Sequence, residues 1–141
     1  MAAASKAKKF ASNPLDEMHM TSPFGERKAF VENGVSHAAG FHAGLDLRAK
    51  VGTNVYAVDD GVVESLESGS AGNILRLRLD RGERVSYVHL DRFKRALGDR
   101  VVAGDLVALS GNTGGVVEHL HIEVKPKGAT SSVDPAPFLA L

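Results

Sequence analysis

The stretch 73–80, NILRLRLD, decides the fold class. Leu75, Leu77 and Leu79 alternate with polar residues, which is the period-2 pattern of a β-strand with one buried face. A short turn, Arg81-Gly82-Glu83, then leads into a second apolar run at 85–90. The two runs and the turn between them predict a β-hairpin.

The same pattern of short apolar runs and turns continues on both sides of this hairpin. Short apolar runs occur at 55–58, 61–63, 101–102, 106–109 and 117–124, separated by glycine-containing turns. Many short strands with glycine turns predict an all-β fold, an antiparallel sandwich or barrel. Residues 20–45 show little periodicity and are predicted as a long loop. Residues 1–19, rich in Ala, Lys and Ser, are predicted as a helical or disordered arm before one domain over 20–141.

Composition excludes several classes of protein. The 141 residues carry 17 basic and 17 acidic side chains, and this zero net charge argues against a nucleic-acid-binding surface. The sequence has no run of 18 apolar residues, so no membrane span is predicted. Cysteine is absent, so any metal must be held by His, Asp or Glu. No apolar stretch follows the lysines of 1–13, so we predict no secretory signal; the chain is then cytoplasmic before release, virion-associated, or a domain of a longer secreted protein.

Histidines in predicted strands are the first candidates for chemistry. In His119-Leu120-His121 the two imidazoles are expected to share one face of a strand, while Leu120 and Ile122 occupy the other face. Glu123 continues the polar face. For an isolated pair of histidines, a solvated strand face and a binding site are equally good explanations.

His42 and Asp46 form a second motif, in which Gly44 allows the backbone to turn so that both side chains converge. Zinc binds imidazole nitrogen and carboxylate oxygen, and a catalytic zinc site has three protein ligands and a water. His42, Asp46 and one of the strand histidines are therefore a candidate ligand set. His89, in the apolar run 85–90, is a further candidate, although a lone strand histidine is more often a core residue with satisfied hydrogen bonds.

A longer series of motifs runs through residues 20–139 in uninterrupted order. It comprises Ser22-Pro23-Phe24-Gly25 with Arg27, His42-x-Gly44-x-Asp46, Gly52-Thr53-x-Val55-Tyr56-Ala57, Asp60-Gly61-Val62-Val63, Tyr87-x-His89-Leu90, Gly98-Asp99-x-Val101, Ala103-Gly104-Asp105, Ser110-Gly111-Asn112-Thr113-Gly114, His119-Leu120-His121-x-Glu123 and Val133-Asp134-Pro135. In this series the chain resembles the lysostaphin/LytM-type zinc endopeptidases of the bacterial cell wall.

The resemblance implies roles for the histidines. His42, Asp46 and His121 would bind one zinc ion per chain, and His89 and His119 would be the catalytic histidines. The implied fold is a small antiparallel β-sheet groove related to the barrel-sandwich hybrid of biotinyl and lipoyl carriers. Residues 115–118 and the loop 26–41 depart from the family pattern, and we expect the first of these departures to reshape one groove wall.

Five further residues are weaker candidates around this site. Glu123 is predicted to orient an imidazole, Tyr56 and Tyr87 to contact substrate in the groove, and His37 or Asn33 to block the metal in a latent form. Each has a simpler interpretation. Glu123 would be a rim charge, the tyrosines plain strand aromatics, and His37 a solvated loop residue.

The predicted function is hydrolysis of the peptide cross-links of peptidoglycan by a monomeric zinc endopeptidase acting at the cell wall, for example in phage lysis. The alternative is a non-catalytic relative that binds the wall or activates other hydrolases. A biotinyl or lipoyl carrier is disfavoured because no lysine stands in the required hairpin setting. A D-Ala-D-Ala carboxypeptidase is disfavoured because its metal-binding His and Asp are spaced more widely. The sequence leaves open whether a D-alanyl-diaminopimelate bond or a glycine bridge is cut.

Overall fold

The computed structural model describes residues 8–32, 34–37 and 39–141, and its regular structure is almost all antiparallel β-strand. The strands are β1 (Met20–Ser22), β2 (Gly25–Arg27), β3 (Phe30–Glu32), β4 (Val35–His37), β5 (Gly40–His42), β6 (Leu45–Leu47), β7 (Asn54–Tyr56), β8 (Gly61–Gly69), β9 (Gly72–Leu79), β10 (Arg84–Phe93), β11 (Arg100–Val101), β12 (Leu106–Ser110) and β13 (Leu120–Lys125). One turn of 3-10 helix, Ala136–Phe138, is the only helix in these ranges. The predicted all-β class is confirmed. Within the described residues, no helix has the length and apolarity to cross a membrane.

One large sheet organises the domain. Its strands lie in the order β1-β6-β13-β10-β9-β8-β11, and β12 joins it by pairing with both β10 and β7. Two small ribbons, β2 with β5 and β3 with β4, lie outside this sheet. The predicted hairpin is the β9–β10 pair, in which Leu77 lies opposite Val85.

The two faces of the central strands differ in chemistry. In β9, Leu75, Leu77 and Leu79 are buried, as their alternation predicts. The inward residues of β10 and β13 are equally apolar and complete the core together with β6, for example Val85, Tyr87, Leu120, Ile122 and Val124. The opposite face therefore carries the polar residues of the same strands, and it is there that the chemistry of the chain is concentrated.

The N-terminal segment differs from its prediction. Over the described part of the predicted arm, residues 8–19 form no helix, and Phe10 and Leu15 are buried in the core. The Phe10 ring stacks on Phe138 with 5.0 Å between centroids, and the Phe10 N–H donates to the Phe138 carbonyl. These two apolar side chains tie residues 8–19 to the domain as part of its packing, so they do not form a free arm. Residues 1–7 lie outside the described residues.

The predicted loop over 20–45 contains six short strands, β1 to β6. Each has three residues, and those of β1, β2 and β5 are mostly exposed or half-buried. Strands this short, with so few buried side chains, leave almost no alternating pattern in the sequence. What defines β2 and β5 is their mutual pairing, which places Gly25 opposite His42 and so fixes the position of that histidine.

Candidate active site

Strand alternation brings two of the predicted ligands to the same face of the sheet. Asp46 lies in β6 between the buried Leu45 and Leu47, so its carboxylate faces outward. His121 faces outward from β13 in the same way. Because β6 and β13 pair with Asp46 directly opposite His121, the two side chains are neighbours on the outer face. His42, at the end of β5, completes the group.

The potential ligand atoms of these three residues converge on one point. Nε2 of His42 lies 3.2 Å from Oδ1 of Asp46 and 3.2 Å from Nδ1 of His121. Nδ1 of His121 lies 2.8 Å from the same Asp46 oxygen. Tetrahedral ligands about 2.1 Å from a zinc ion are about 3.4 Å from one another. The three separations are slightly shorter than this, so a small outward movement would seat a zinc ion between the three atoms.

The hydrogen bonds of the two imidazoles decide which nitrogens are free. Nδ1 of His42 is 2.8 Å from the Pro23 carbonyl oxygen, which only accepts, so this nitrogen carries the proton. Nε2 of His121 donates to Glu123 over 2.9 Å. In the neutral rings, the remaining nitrogens therefore present lone pairs to each other and to the Asp46 carboxylate. Three acceptor atoms facing one another need a cation between them, and this donor set fits zinc.

The electrostatics of Asp46 and His121 lead to the same conclusion. Burial raises the pKa of Asp46, but hydrogen bonds from His119 and His121 outweigh burial and hold that pKa well below its usual range. Burial lowers the pKa of His121, but hydrogen bonds to Asp46 and Glu123 reverse the effect and raise it to about 9. The site thus favours positive charge next to the carboxylate. A divalent cation supplies that charge and displaces the proton.

His89 and His119 lie beside this group, with ring centroids 5.0 Å apart. Nδ1 of His89 donates to the carbonyl oxygens of Thr113, at 2.8 Å, and Ala71, at 3.0 Å. Nδ1 of His119 donates to the Val117 carbonyl oxygen at 2.6 Å. In both rings Nε2 is thereby left for proton exchange, and Nε2 of His119 is 3.4 Å from Oδ1 of Asp46.

A β-bulge explains why His89 faces the site. Val85 and Tyr87 of β10 point into the core, so strict alternation would bury His89 as well. The register of β10 against β9 shifts between Tyr87 and Leu90, and His89 adopts a φ of 66°, the only positive value among the described non-glycine residues. The bulge turns the imidazole to the outer face. A non-glycine residue in this conformation costs about 1–3 kcal/mol, a strain that is typical of functional positions.

The pKa values of these two imidazoles are shifted in opposite directions, in His89 mainly by burial and in His119 mainly by a hydrogen bond. Burial lowers the pKa of His89 and so favours its neutral form. The hydrogen bond to Asp46 raises the pKa of His119. One neutral and one more basic imidazole, side by side, can take up and give back a proton in turn.

Glycine is required at position 44 for a reason other than the turn that its sequence context suggests. Its position between His42 and Asp46 predicts a turning role, but Gly44 is not among the described glycines with a positive φ. An added Cβ would lie 2.5 Å from the Ile122 carbonyl oxygen and 2.6 Å from Cε1 and Nε2 of His121. Glycine is needed here because the imidazole of His121 packs directly against the backbone.

Arg27 also contacts the site, although its sequence context does not predict this. Its Nη2 lies 3.5 Å from Oδ2 of Asp46, whereas His42 and His121 contact Oδ1, and it also bonds Ser22. β2 carries Arg27 next to β5, which carries His42. Arg27 belongs to the motif that begins with Ser22-Pro23-Phe24-Gly25. No local pattern in the sequence, however, links Arg27 to Asp46, which lies 19 residues away.

The five weaker candidates differ in their surroundings. Glu123 contacts His121 as predicted. The groove role predicted for Tyr87 is wrong, because its side chain is fully buried and its hydroxyl accepts the Val58 N–H at 3.1 Å. The Tyr56 hydroxyl donates to Asp16 of the N-terminal segment at 3.0 Å, and its groove role stays a prediction. His37 belongs to β4, but its side chain, like all of Asn33, lies outside the described residues, and the proposed latent form stays a prediction.

Comparison with known proteins gives consistent results. The chain matches the peptidase family M23 over residues 40–135. It is 36% identical over 123 residues, covering 86% of this chain and 28% of the relative, to the peptidoglycan DD-endopeptidase ShyC of Vibrio cholerae. The chain spans less than a third of the length of this and the other leading curated relatives that it matches.

Solved structures agree with the fold. A zinc-containing peptidase from Vibrio cholerae is similar with a TM-score of 0.77 and 29% identity, covering 95% of this chain and 40% of that one. The catalytic domain of the antimicrobial peptidase lysostaphin from Staphylococcus simulans gives a TM-score of 0.73 and 27% identity, covering 86% of this chain and 91% of that one.

Proposed function

Because the chain belongs to peptidase family M23, we propose that it is a zinc-dependent endopeptidase that hydrolyses the peptide cross-links of bacterial peptidoglycan at the cell wall. The resemblance to lysostaphin-type enzymes that the motifs indicate is thereby confirmed at the level of the family. One observation supports catalytic activity in this chain. His42, Asp46 and His121 form a zinc-compatible group, and two further imidazoles stand beside it with their free nitrogens available.

The three ligand residues would hold the metal, and the protein's other residues would handle protons. When bound, zinc supplies Lewis-acid polarisation of a carbonyl and acidification of a water. Nε2 of His89 and Nε2 of His119 would accept the proton of the attacking water, donate to the oxyanion of the substrate carbonyl and pass a proton to the leaving amine. The carbonyl groups of Thr113 and Val117 hold each ring in the tautomer that this exchange requires.

The backbone strain at His89 favours an enzyme over a non-catalytic wall binder. A binder gains nothing from a strained bulge that moves one imidazole out of the core and next to the metal group. In the proposed hydrolysis, that imidazole takes part in proton transfer at the metal group. We also propose action as a monomer, since all five side chains come from one chain, and sedimentation of the zinc-loaded protein tests this.

The test combines metal analysis with digestion of purified sacculi. The protein reconstituted with zinc should hold about one zinc per chain, release soluble peptides from sacculi, and lose this activity in chelator. Substituting any of His42, Asp46 or His121 by Ala should abolish both zinc binding and activity. A wild-type protein that binds no zinc, or that stays inactive with zinc bound, would overturn the proposal.

A further inference from the structure

The face of the sheet that carries the metal group extends well beyond it. Residues paired directly across antiparallel strands share a face, and so do alternate residues along a strand. His121 lies opposite Val88 of β10, and two further steps along β10 lead from Val88 to Arg84. Arg84 is in turn opposite Lys125 of β13 and Arg78 of β9. These three cationic residues therefore lie on the same outer face as His121.

A cleft lies at this end of the face. Its volume is about 410 Å³ and its lining contains four cationic side chains, Arg78, Arg84, Arg100 and Lys127, but only one carboxylate, Asp80. The strand pairing places Arg78 opposite Val62, and Val62 opposite Arg100, so the cleft spans β8, β9, β10 and the edge strand β11. A concave surface with this excess of cations attracts anionic groups.

Two of the four cations are already paired. Arg84 bonds Glu64 at 2.9 Å, and Arg100 forms a bidentate pair with Asp80. Arg78 lies near enough to Asp80 to help lower its pKa, but neither Arg78 nor Lys127 forms an ion pair among the described residues, and Lys127 packs its aliphatic chain beside Gly82. The guanidinium of Arg78 and the ammonium of Lys127 are thus available to a ligand.

The distance between cleft and metal group matches the length of a short peptide. Four residues of β10 separate Val88 from Arg84, which is about 13–14 Å of extended strand. A peptide of about four extended residues covers the same distance. A substrate lying along β10 with its scissile bond at the metal group would place groups about four residues away in the cleft.

We propose that the cleft formed by Arg78, Arg84, Arg100 and Lys127 is a subsite for free carboxylates of the peptide substrate. The inference rests on the proposed endopeptidase function and names its substrate class. A cross-link that contains diaminopimelate carries free carboxylates along its peptides, whereas a glycine bridge has none along its length. The cleft therefore selects acidic cross-links of the D-alanyl-diaminopimelate kind over glycine bridges.

Three purified substrates test the subsite with the zinc-loaded enzyme. The first is a cross-linked muropeptide dimer with free diaminopimelate carboxylates, the second is the same dimer with those groups amidated, and the third is a pentaglycine peptide. The variant is the double substitution Arg78→Gln and Lys127→Gln. The matched control is Lys94→Gln, which removes an exposed cation near β12, outside this face.

We expect the double variant to raise KM for the free-acid dimer by about 3- to 10-fold, the range for two exposed ion pairs, with kcat and zinc content unchanged. The amidated dimer should bind wild type and double variant equally, and Lys94→Gln should change neither. Equal KM values for the free-acid and amidated dimers in the wild type would overturn the subsite. So would preferential cleavage of the pentaglycine peptide, which would leave the endopeptidase function intact.

A binding measurement distinguishes failure of the proposed subsite from failure of the proposed endopeptidase function. If the zinc-loaded wild type cleaves none of the three substrates, the proposed function falls. Calorimetric titration with the same peptides then still reports on the cleft. Tighter binding of the free-acid dimer, lost in the double variant, supports the subsite, and equal binding of both dimers contradicts it.

Discussion

Substituting Gly44 by Ala perturbs the metal group through one methyl group. The added Cβ would stand 2.5 Å from the Ile122 carbonyl oxygen and 2.6 Å from two ring atoms of His121. Real Cβ atoms do not approach other atoms so closely, so either the imidazole must rotate away or β6 must separate from β13. Gly44 is not a positive-φ glycine, so the backbone conformation itself suits alanine and the effect is purely steric.

The expected magnitude follows from which atoms must move. If His121 rotates, its Nδ1 leaves its position 2.8 Å from Asp46. Zinc affinity should then fall by about 10- to 100-fold, as it does when a residue that orients a metal ligand is substituted. If the strands separate, overpacking should lower the free energy of unfolding by about 1–3 kcal/mol. Zinc affinity by chelator competition and denaturant unfolding of the zinc-free protein distinguish the two results.

Gly40→Ala is the matched control. Gly40 begins β5, two residues from His42, and an added Cβ there meets nothing within 4 Å. We expect this variant to keep wild-type zinc affinity and stability. If Gly44→Ala behaves like Gly40→Ala in both assays, the packing of His121 against the backbone does not position the ligand, and the reasoning is refuted.

Four further substitutions address the other contacts of the site. His89→Ala should retain zinc and lose about two to four powers of ten in kcat, measured on sacculi; loss of zinc would show that this residue is a ligand instead. Glu123→Gln removes the carboxylate that fixes the ligand tautomer, and zinc affinity should fall by about 10- to 100-fold in competition assays, whereas an unchanged affinity would reduce Glu123 to a rim charge. Arg27→Ala removes the cation next to Asp46 and should weaken zinc binding less than Glu123→Gln; unaltered binding would show that this contact has no role at the metal. Tyr87→Phe leaves a buried backbone N–H unpaired and should lower the free energy of unfolding by about 1–3 kcal/mol without changing kcat, and a fall in kcat at unchanged stability would restore its groove role.

The sequence predicts those parts of the fold that have a buried face. The predicted strands at 73–80 and 117–124 largely coincide with β9 and β13, because each strand alternates apolar and polar residues against one core; β13 itself begins only at Leu120. The pairs β2–β5 and β3–β4 are not predicted, because three-residue strands in ribbons leave no periodicity. The β2–β5 pair nevertheless carries both His42 and Arg27. Tertiary pairing, rather than local pattern, defines this half of the site.

Side-chain direction is the other feature that alternation alone does not give. Alternation places His89 with Tyr87 in the core, and only the bulge reverses this. Tyr87 is predicted as a groove residue, yet its side chain lies in the core and its hydroxyl accepts the Val58 N–H. The close packing of Gly44 against His121 joins residues 77 positions apart in the sequence, and no local rule reveals it.

The central claim is best tested by crystallography of the zinc-reconstituted protein with anomalous diffraction at the zinc absorption edge. We expect one strong anomalous peak about 2.0–2.2 Å from Nε2 of His42, Oδ1 of Asp46 and Nδ1 of His121. His89 and His119 should lie beside the peak without coordinating it. A peak held by other residues, or no peak at these three atoms, would contradict the account.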